Sequence, residues 1–211
     1  MANEISLSDL PNDALSEILK HVAENSVYDL LGLRHTCKKI DEAATDEYIF
    51  ATASLHNYGC IPWKTEMREF LERAVVAHNP QALYREGMAK CFCGVGCDVD
   101  YGIKLLREAS ERGGVEATYA LGLQLICMES KALKGYQTLQ KLYNMCLEEG
   151  FEILDRCRRV TERMIADMWV TSHLEPPKKF YCPCIEDSDQ CSYCLWNYEA
   201  EYLANLLELR H

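Results

Sequence analysis

The chain is short of proline, of basic charge and of long apolar runs, and each shortage excludes something. Six prolines in 211 residues leave room for uninterrupted helices. Lys and Arg number 22 against 33 Asp and Glu, a net charge of −11. That balance argues against a dedicated binder of nucleic acid or of anionic membrane, since both select for basic faces. No stretch approaches the roughly 18 apolar residues of a membrane-spanning helix. The opening residues, MANEISLSDLPND, carry acids and no apolar block, so a secretory leader is not expected. Glycine-rich phosphate loops, the G-x-S-x-G elbow and H-E-x-x-H are all missing. No histidine motif nominates a cysteine as nucleophile. A catalytic role and a required cofactor are therefore not expected, and residence in the cytoplasm or nucleus is.

What the chain has in quantity is apolar surface and sulfur. Hydrophobic residues make up 48% and charged residues 26%, enough for a sizeable core and unlike a disordered chain. The twelve cysteines read as reduced thiols rather than a disulfide framework, and most as small core hydrophobes.

Apolar residues recur at three and four positions almost throughout, and strand-like alternation is scarce, so the fold class is all-α. Ser8 and Asp9 offer capping oxygens before Pro11, which suits a first helical turn. Leu15, Ile18, Leu19 and Val22 then share one stripe. Asn25–Ser26 ends that helix and caps the next, which carries Leu30, Leu31, Leu33 and Cys37. A third helix runs through Ile40, Ala44 and Tyr48. Three short helices are marginal alone and gain from packing on a partner. Residues 51–79 form a connecting segment, interrupted at Pro62–Trp63, with an amphipathic helix through Met67, Phe70, Leu71, Ala74 and Val75.

From residue 80 to 150 the sequence repeats. Ala82, Tyr84 and Gly87 match Ala117, Tyr119 and Gly122 in the pattern A-x-Y-x-x-G, displaced by 35 residues, and Tyr101 and Tyr136 show the same displacement. A period of this length signals stacked helical hairpins, in which small residues permit close approach and tyrosine fills the gaps. Asn79–Pro80 starts the first hairpin, and Gly94, Gly96 and Asp98 occupy its inner loop. Gly113–Gly114 ends the first unit, and the second inner-pair helix is expected over Gly135–Cys146. Residues 151–211 hold an amphipathic helix through Leu154, Cys157, Val160, Met164 and Met168, expected to end near Glu175-Pro176-Pro177. A cysteine-rich loop and a final helix through Leu195, Tyr198, Tyr202, Leu206 and Leu209 follow. Scattered carboxylates on these helices read as solvated faces.

The N-terminal motifs resemble an F-box: Leu10-Pro11 followed by Asp13, then Glu17-Ile18-Leu19, then Leu33-Arg34 leading to Cys37-Lys38-Lys39. Many members carry tryptophan where this chain has Ile40. The segment from Ala82 to Gly113, with Asp100, Tyr101, Ile103 and Ala109, resembles Sel-one-like repeats, relatives of the tetratricopeptide repeat. Together these features resemble a plant F-box protein family with helical repeats and a cysteine-bearing tail. The resemblance implies an F-box at 7–50 that docks a Skp-type adaptor, and through it a cullin, with the remainder recruiting a protein substrate for ubiquitination. It implies adaptor contacts from Leu10, Pro11, Leu15, Ile18, Leu19, Leu30, Leu33, Arg34, Cys37 and Lys38. A protein-binding scaffold without a ligase role is the alternative.

Cys182-x-Cys184 and Cys191-x-x-Cys194 make a C-x-C-x6-C-x2-C array. Four thiolates suit a closed, structural zinc site, and packed thiols are the alternative. Cys91, Cys93 and Cys97, around a glycine loop, read as local packing.

Overall fold

Leu15, Leu19 and Ala23 recur at fourfold spacing. They form the buried stripe of helix α1 (Asn12–Asn25) in the computed structural model, which describes residues 7–56, 65–94, 96–171, 174–178 and 191–209. The described residues form eleven α-helices and no β-strand. They divide into two compact units, residues 1–82 and 83–211.

The first unit holds α1, α2 (Val27–Arg34), α3 (Lys38–Ala43), α4 (Glu47–Thr52) and α5 (Thr65–Val76). Ser26 caps α2 as the sequence suggests, its hydroxyl accepting from the Asp29 N–H at 3.2 Å. Two local expectations change. Pro11 stands at the N-cap of α1, which has no side-chain cap, rather than inside its first turn. The expected third helix is two helices: the chain turns at residues 44–46, and the Asp46 carboxylate accepts from the Tyr48 N–H at 2.9 Å to start α4. Aspartate competes well for backbone N–H groups, which favours a cap over a helix interior.

Helix α5 completes this unit's core. Met67, Phe70, Leu71 and Ala74 join the buried leucines of α1 and α2 in one cluster. The Phe50 and Phe70 rings meet at 4.9 Å, and the Arg73 guanidinium lies 4.0 Å from the Phe50 ring centre. Asn79, buried, donates from Nδ2 to the carbonyls of Phe50 and Ala53 at 3.0 and 2.9 Å. Its Oδ1 accepts from the N–H groups of Gln81 and Ala82, capping α6 (Pro80–Phe92).

The second unit continues with α7 (Val99–Glu111), α8 (Val115–Cys127), α9 (Ala132–Glu149), α10 (Glu152–Asp167) and α11 (Ser192–Glu208). The repeat is visible as two glycine contacts made twice. A Cβ on Gly87 would lie 2.8 Å from Leu106 Cγ, and one on Gly122 would lie 2.3 Å from Leu139 Cγ. A Cβ on Gly102 would meet the Gly87 carbonyl at 2.8 Å, and one on Gly135 the Gly122 carbonyl at 2.7 Å. The hairpins α6–α7 and α8–α9 are therefore held at the same close approach by equivalent glycines. The equivalence also corrects one pairing. The connection after α6 is two residues longer than that after α8, so the outer-helix displacement of 35 becomes 33 in the inner helices. Tyr101 and Tyr136 are not counterparts: Tyr101 is exposed and Tyr136 buried.

Helix α10 stops at Asp167, short of the expected end near Pro176. Val170 pairs in an antiparallel bridge with Cys93, using the Gly94 N–H to the Trp169 carbonyl at 3.3 Å and the Thr171 N–H to the Phe92 carbonyl at 3.0 Å. Gly94 permits this, since a Cβ there would fall 2.3 Å from Thr171 Cγ2. Among the described residues, no helix is long and apolar enough to cross a membrane.

Candidate functional site

In α1 and α2 the residues that pack inward and those that face outward alternate by turn. Leu15, Leu19 and Leu30 are fully buried in the unit's own core, so their side chains hold the helices rather than lie on the surface. What faces outward is a groove of about 680 Å³ between the two helices, lined by Ile18, His21, Val22, Asn25, Tyr28, Asp29, Gly32 and Leu33. Ile18 is 37% exposed and Tyr28 47%, so both present apolar surface to the groove. Gly32 keeps the groove open, as a Cβ there would meet nothing within 4 Å. His21 stands between Glu17 and Glu24 on the rim, at 3.5 and 3.1 Å.

The remaining residues named from the motif lie near but not in this groove. Leu10 is half-buried, and its carbonyl accepts from the Lys39 ammonium at 2.7 Å, which ties α3 to the entry of α1. Pro11 is exposed beside it. Arg34 turns toward α3 and donates from Nε to Asp41 at 2.7 Å, in a separate cleft with His35, Glu66 and Glu69. Cys37 is half-buried at the N-cap of α3, and Lys38 is exposed with Glu42 at 3.5 Å. Only Ile18 and Leu33 of the motif set share the groove. Val22 belongs to the α1 stripe, whereas Tyr28 and Gly32 carry no motif signal; the period of an eight-residue helix shows only once its partner is in place.

The second unit contains a buried charge where a solvated acid is expected. Glu199, in the middle of α11, has no exposed surface. Its Oε2 accepts from the Tyr119 hydroxyl of α8 at 2.7 Å and from Arg158 Nε of α10 at 3.3 Å, while its Oε1 accepts from Arg158 Nη2. The bond to Glu199 pushes the Arg158 guanidinium still higher than usual, with burial opposing it. Burial first, and the adjacent carboxylate second, raise the Tyr119 phenol far above its ordinary value. Around this centre, Tyr136 donates to Asn197 at 2.6 Å and Tyr202 to Glu162 at 2.5 Å. Trp196, buried one turn before Glu199, meets the Tyr143 ring edge-on at 6.4 Å. The expected stripe of Leu195, Tyr198, Tyr202, Leu206 and Leu209 is displaced: α11 buries Trp196, Ala200, Leu203 and Leu207 and leaves Tyr198 and Leu209 exposed, which carries Glu199 to the inner face.

The cysteines divide by position. Cys91 donates to Gln124 Oε1 at 3.2 Å, and burial pushes its thiol up to about 12. Burial does the same to Cys127 and Cys157, each to about 12. Cys97 is exposed and Cys93 half-buried. Of the expected zinc set, Cys182 and Cys184 lie outside the described residues. Cys191 stands at the N-cap of α11 and Cys194 in its first turn, both half-buried. Among the described residues, no three His, Cys, Asp or Glu side chains group as metal ligands.

Comparison with known proteins places these features. The family described as "Plant tetratrico peptide repeats" matches residues 56–166, more than half of the chain. A putative F-box protein of Arabidopsis thaliana is 28% identical over 166 residues, covering 78% of this chain and 55% of the relative. A second Arabidopsis thaliana F-box protein is 30% identical over 126 residues, covering 59% of this chain and 76% of the relative. The chain thus spans about half the length of the first relative and three quarters of the second. No solved structure matches. With equivalent glycines closing two successive hairpins across the matched segment, the chain belongs to the plant tetratricopeptide-repeat family and, within it, to F-box proteins with helical repeats.

Proposed function

We propose that the chain is a substrate-recruiting subunit of a Skp–cullin–F-box ubiquitin ligase. It docks a Skp-type adaptor through the N-terminal helices and presents a protein substrate on the second unit. The observation that carries this reading is the open apolar groove between α1 and α2, built on the helices that hold the F-box motif order. An exposed isoleucine and tyrosine beside a glycine opening form a surface whose burial by a partner is favourable. The naming of both relatives as F-box proteins supports it. The chain's contribution to ubiquitin transfer is positional: it holds a lysine near a charged conjugating enzyme and raises its effective concentration.

Co-purification with a recombinant Skp-type adaptor tests the reading. Ile18→Glu places a charge in the groove without touching the buried leucines, and Gly32→Glu fills the opening. Both variants should keep native helicity and lose the adaptor. A native chain that folds and binds no adaptor overturns the reading in favour of a scaffold without a ligase role.

A further inference from the structure

We propose that the pocket between α9 and the start of α11 receives the side-chain carboxamide of an asparagine or glutamine from a partner peptide, with the Trp196 indole N–H as its central donor. The proposal deepens the substrate-recruiting reading, and rests on it only for calling that peptide a substrate.

The pocket holds about 150 Å³. Tyr136 and Tyr193 form one wall, their ring centres 4.8 Å apart and their planes tilted by 42°. Gln137, Gln140 and Ser192 bring two amides and a hydroxyl to it, and the exposed Leu133 stands at its edge. Trp196 is its most deeply buried member after the ring of Tyr136 has turned aside to donate to Asn197. A tryptophan in a helix leans toward the helix N-terminus, which carries the indole toward the turn of Ser192 and Tyr193.

The indole carries the argument. Trp196 is 1% exposed, and its Nε1 is buried with no acceptor among the described residues. A buried indole N–H normally finds a partner, because leaving it unpaired forfeits the hydrogen bond it had in water. The neighbouring donors are already used: the Tyr136 hydroxyl donates to Asn197 at 2.6 Å, and Gln140 Nε2 to Asn144 Oδ1 at 3.1 Å. Trp196 alone is left with an unmet donor, and it lines a cavity into which an acceptor can come from outside.

Size and charge then select the visitor. The space is smaller than the roughly 300–1,000 Å³ of a small-molecule site and suits one side chain. No charged residue lines it. A carboxylate would be buried there without a cation, and the net charge of −11 also opposes it. Ammonium and guanidinium groups have no acceptor to offer the indole, and an apolar side chain leaves the N–H unpaired. A carboxamide meets each feature. Its oxygen accepts from the indole, its NH₂ donates to the Gln137 or Gln140 amide oxygen, and its flat face lies along the tyrosine rings. A free amino acid would bring two charged termini that this lining cannot pair, so a residue within a peptide is the source.

The test uses the full chain labelled with ¹⁵N, its three indole N–H resonances assigned by single Trp→Phe variants. The probes are N-acetyl-glutamine methylamide, its glutamate analogue and free L-glutamine, at neutral pH. Ligands of this size bind on the order of millimolar. The glutamine probe should move the Trp196 indole proton downfield and saturate, with the other two at least about tenfold weaker. Trp196→Phe keeps the ring and removes the donor, and should weaken the probe about fivefold to tenfold as read on the Tyr193 amide. No saturable response to the glutamine probe, or an equal response to glutamate, overturns the proposal. A stronger response to free L-glutamine overturns the peptide as source. If Trp196→Phe loses helicity, the exposed pair Gln137→Leu/Gln140→Leu decides, and unchanged binding by that variant overturns the proposal. Adaptor co-purification should be the same for every folded variant, so loss of the probe with the adaptor retained counts against this pocket alone, and loss of the adaptor with the probe retained against the ligase reading alone.

Discussion

Replacing Gly135 by alanine adds one methyl group where the helices leave no room for it. The new Cβ would lie 2.7 Å from the Gly122 carbonyl, 2.7 Å from Ile126 Cγ1 and 2.8 Å from the Ile126 nitrogen. Two of these three obstacles are backbone, which cannot rotate aside, so α8 and α9 must move apart by several tenths of an ångström. Overpacking of this kind costs about 1–3 kcal/mol, and the better helix propensity of alanine returns roughly 0.5–1 kcal/mol. A net loss of about 1 kcal/mol is expected, shifting the midpoint of thermal unfolding by about 2–4 °C in a chain of this size. Gly32→Ala is the control, with nothing within 4 Å of its Cβ, and it should gain roughly 0.5–1 kcal/mol. Urea titration followed by far-UV circular dichroism, with hydrogen exchange resolving α8 and α9, measures both. If Gly135→Ala is as stable as the native chain, the close approach is wrong, and the equivalence of Gly102 with Gly135 loses its basis.

Leu15→Ala should cost about 2–5 kcal/mol, because the side chain is fully buried. It would lose adaptor binding only by unfolding the first unit, whereas Ile18→Ala should leave the melting curve nearly unchanged. Asn79→Ala removes a helix cap and leaves two buried carbonyls unpaired, and should cost roughly 2–4 kcal/mol in chemical denaturation. Cys91, Cys127 and Cys157 should resist a thiol reagent at pH 8 in the folded chain while Cys97 reacts, as mass spectrometry of labelled peptides would show. In the fold, burial holds them near 12, above the ordinary thiol value of 9.0. The folded state thus holds these protons more tightly, and their contribution is complete below about pH 9 and declines as pH rises toward 12. A stability that rose through that window would contradict the burial of these thiols.

Much of the fold is legible where the physics is local. Ser26 and Asn79 announce helix starts because a short oxygen-bearing side chain satisfies the N–H groups just ahead of it. Ala82, Tyr84 and Gly87 recur as Ala117, Tyr119 and Gly122 because the same helix approach demands the same small residues. What escapes is set by distant chain. Nothing near Asp167 breaks a helix, and α10 ends there because Val170 pairs with Cys93, many positions earlier. Glu199 looks like one more surface acid until Arg158 and Tyr119, 41 and 80 residues away, are brought against it. In the first unit the motif names the helices correctly for packing, but the groove belongs equally to Val22, Tyr28 and Gly32.

The indole of Trp196 gives the molecule its own optical gauge. It is 1% exposed, edge-on to Tyr143, and its Nε1 has no hydrogen-bond partner among the described residues. Trp169, by contrast, is 82% exposed. Excited where indole absorbs and phenol does not, Trp196 should emit to the blue and Trp169 near the colour of indole in water. Replacing Trp63 and Trp169 by phenylalanine leaves Trp196 as the one indole, and a red shift of its band then follows the loosening of α11 from α9 in real time, with no dye attached.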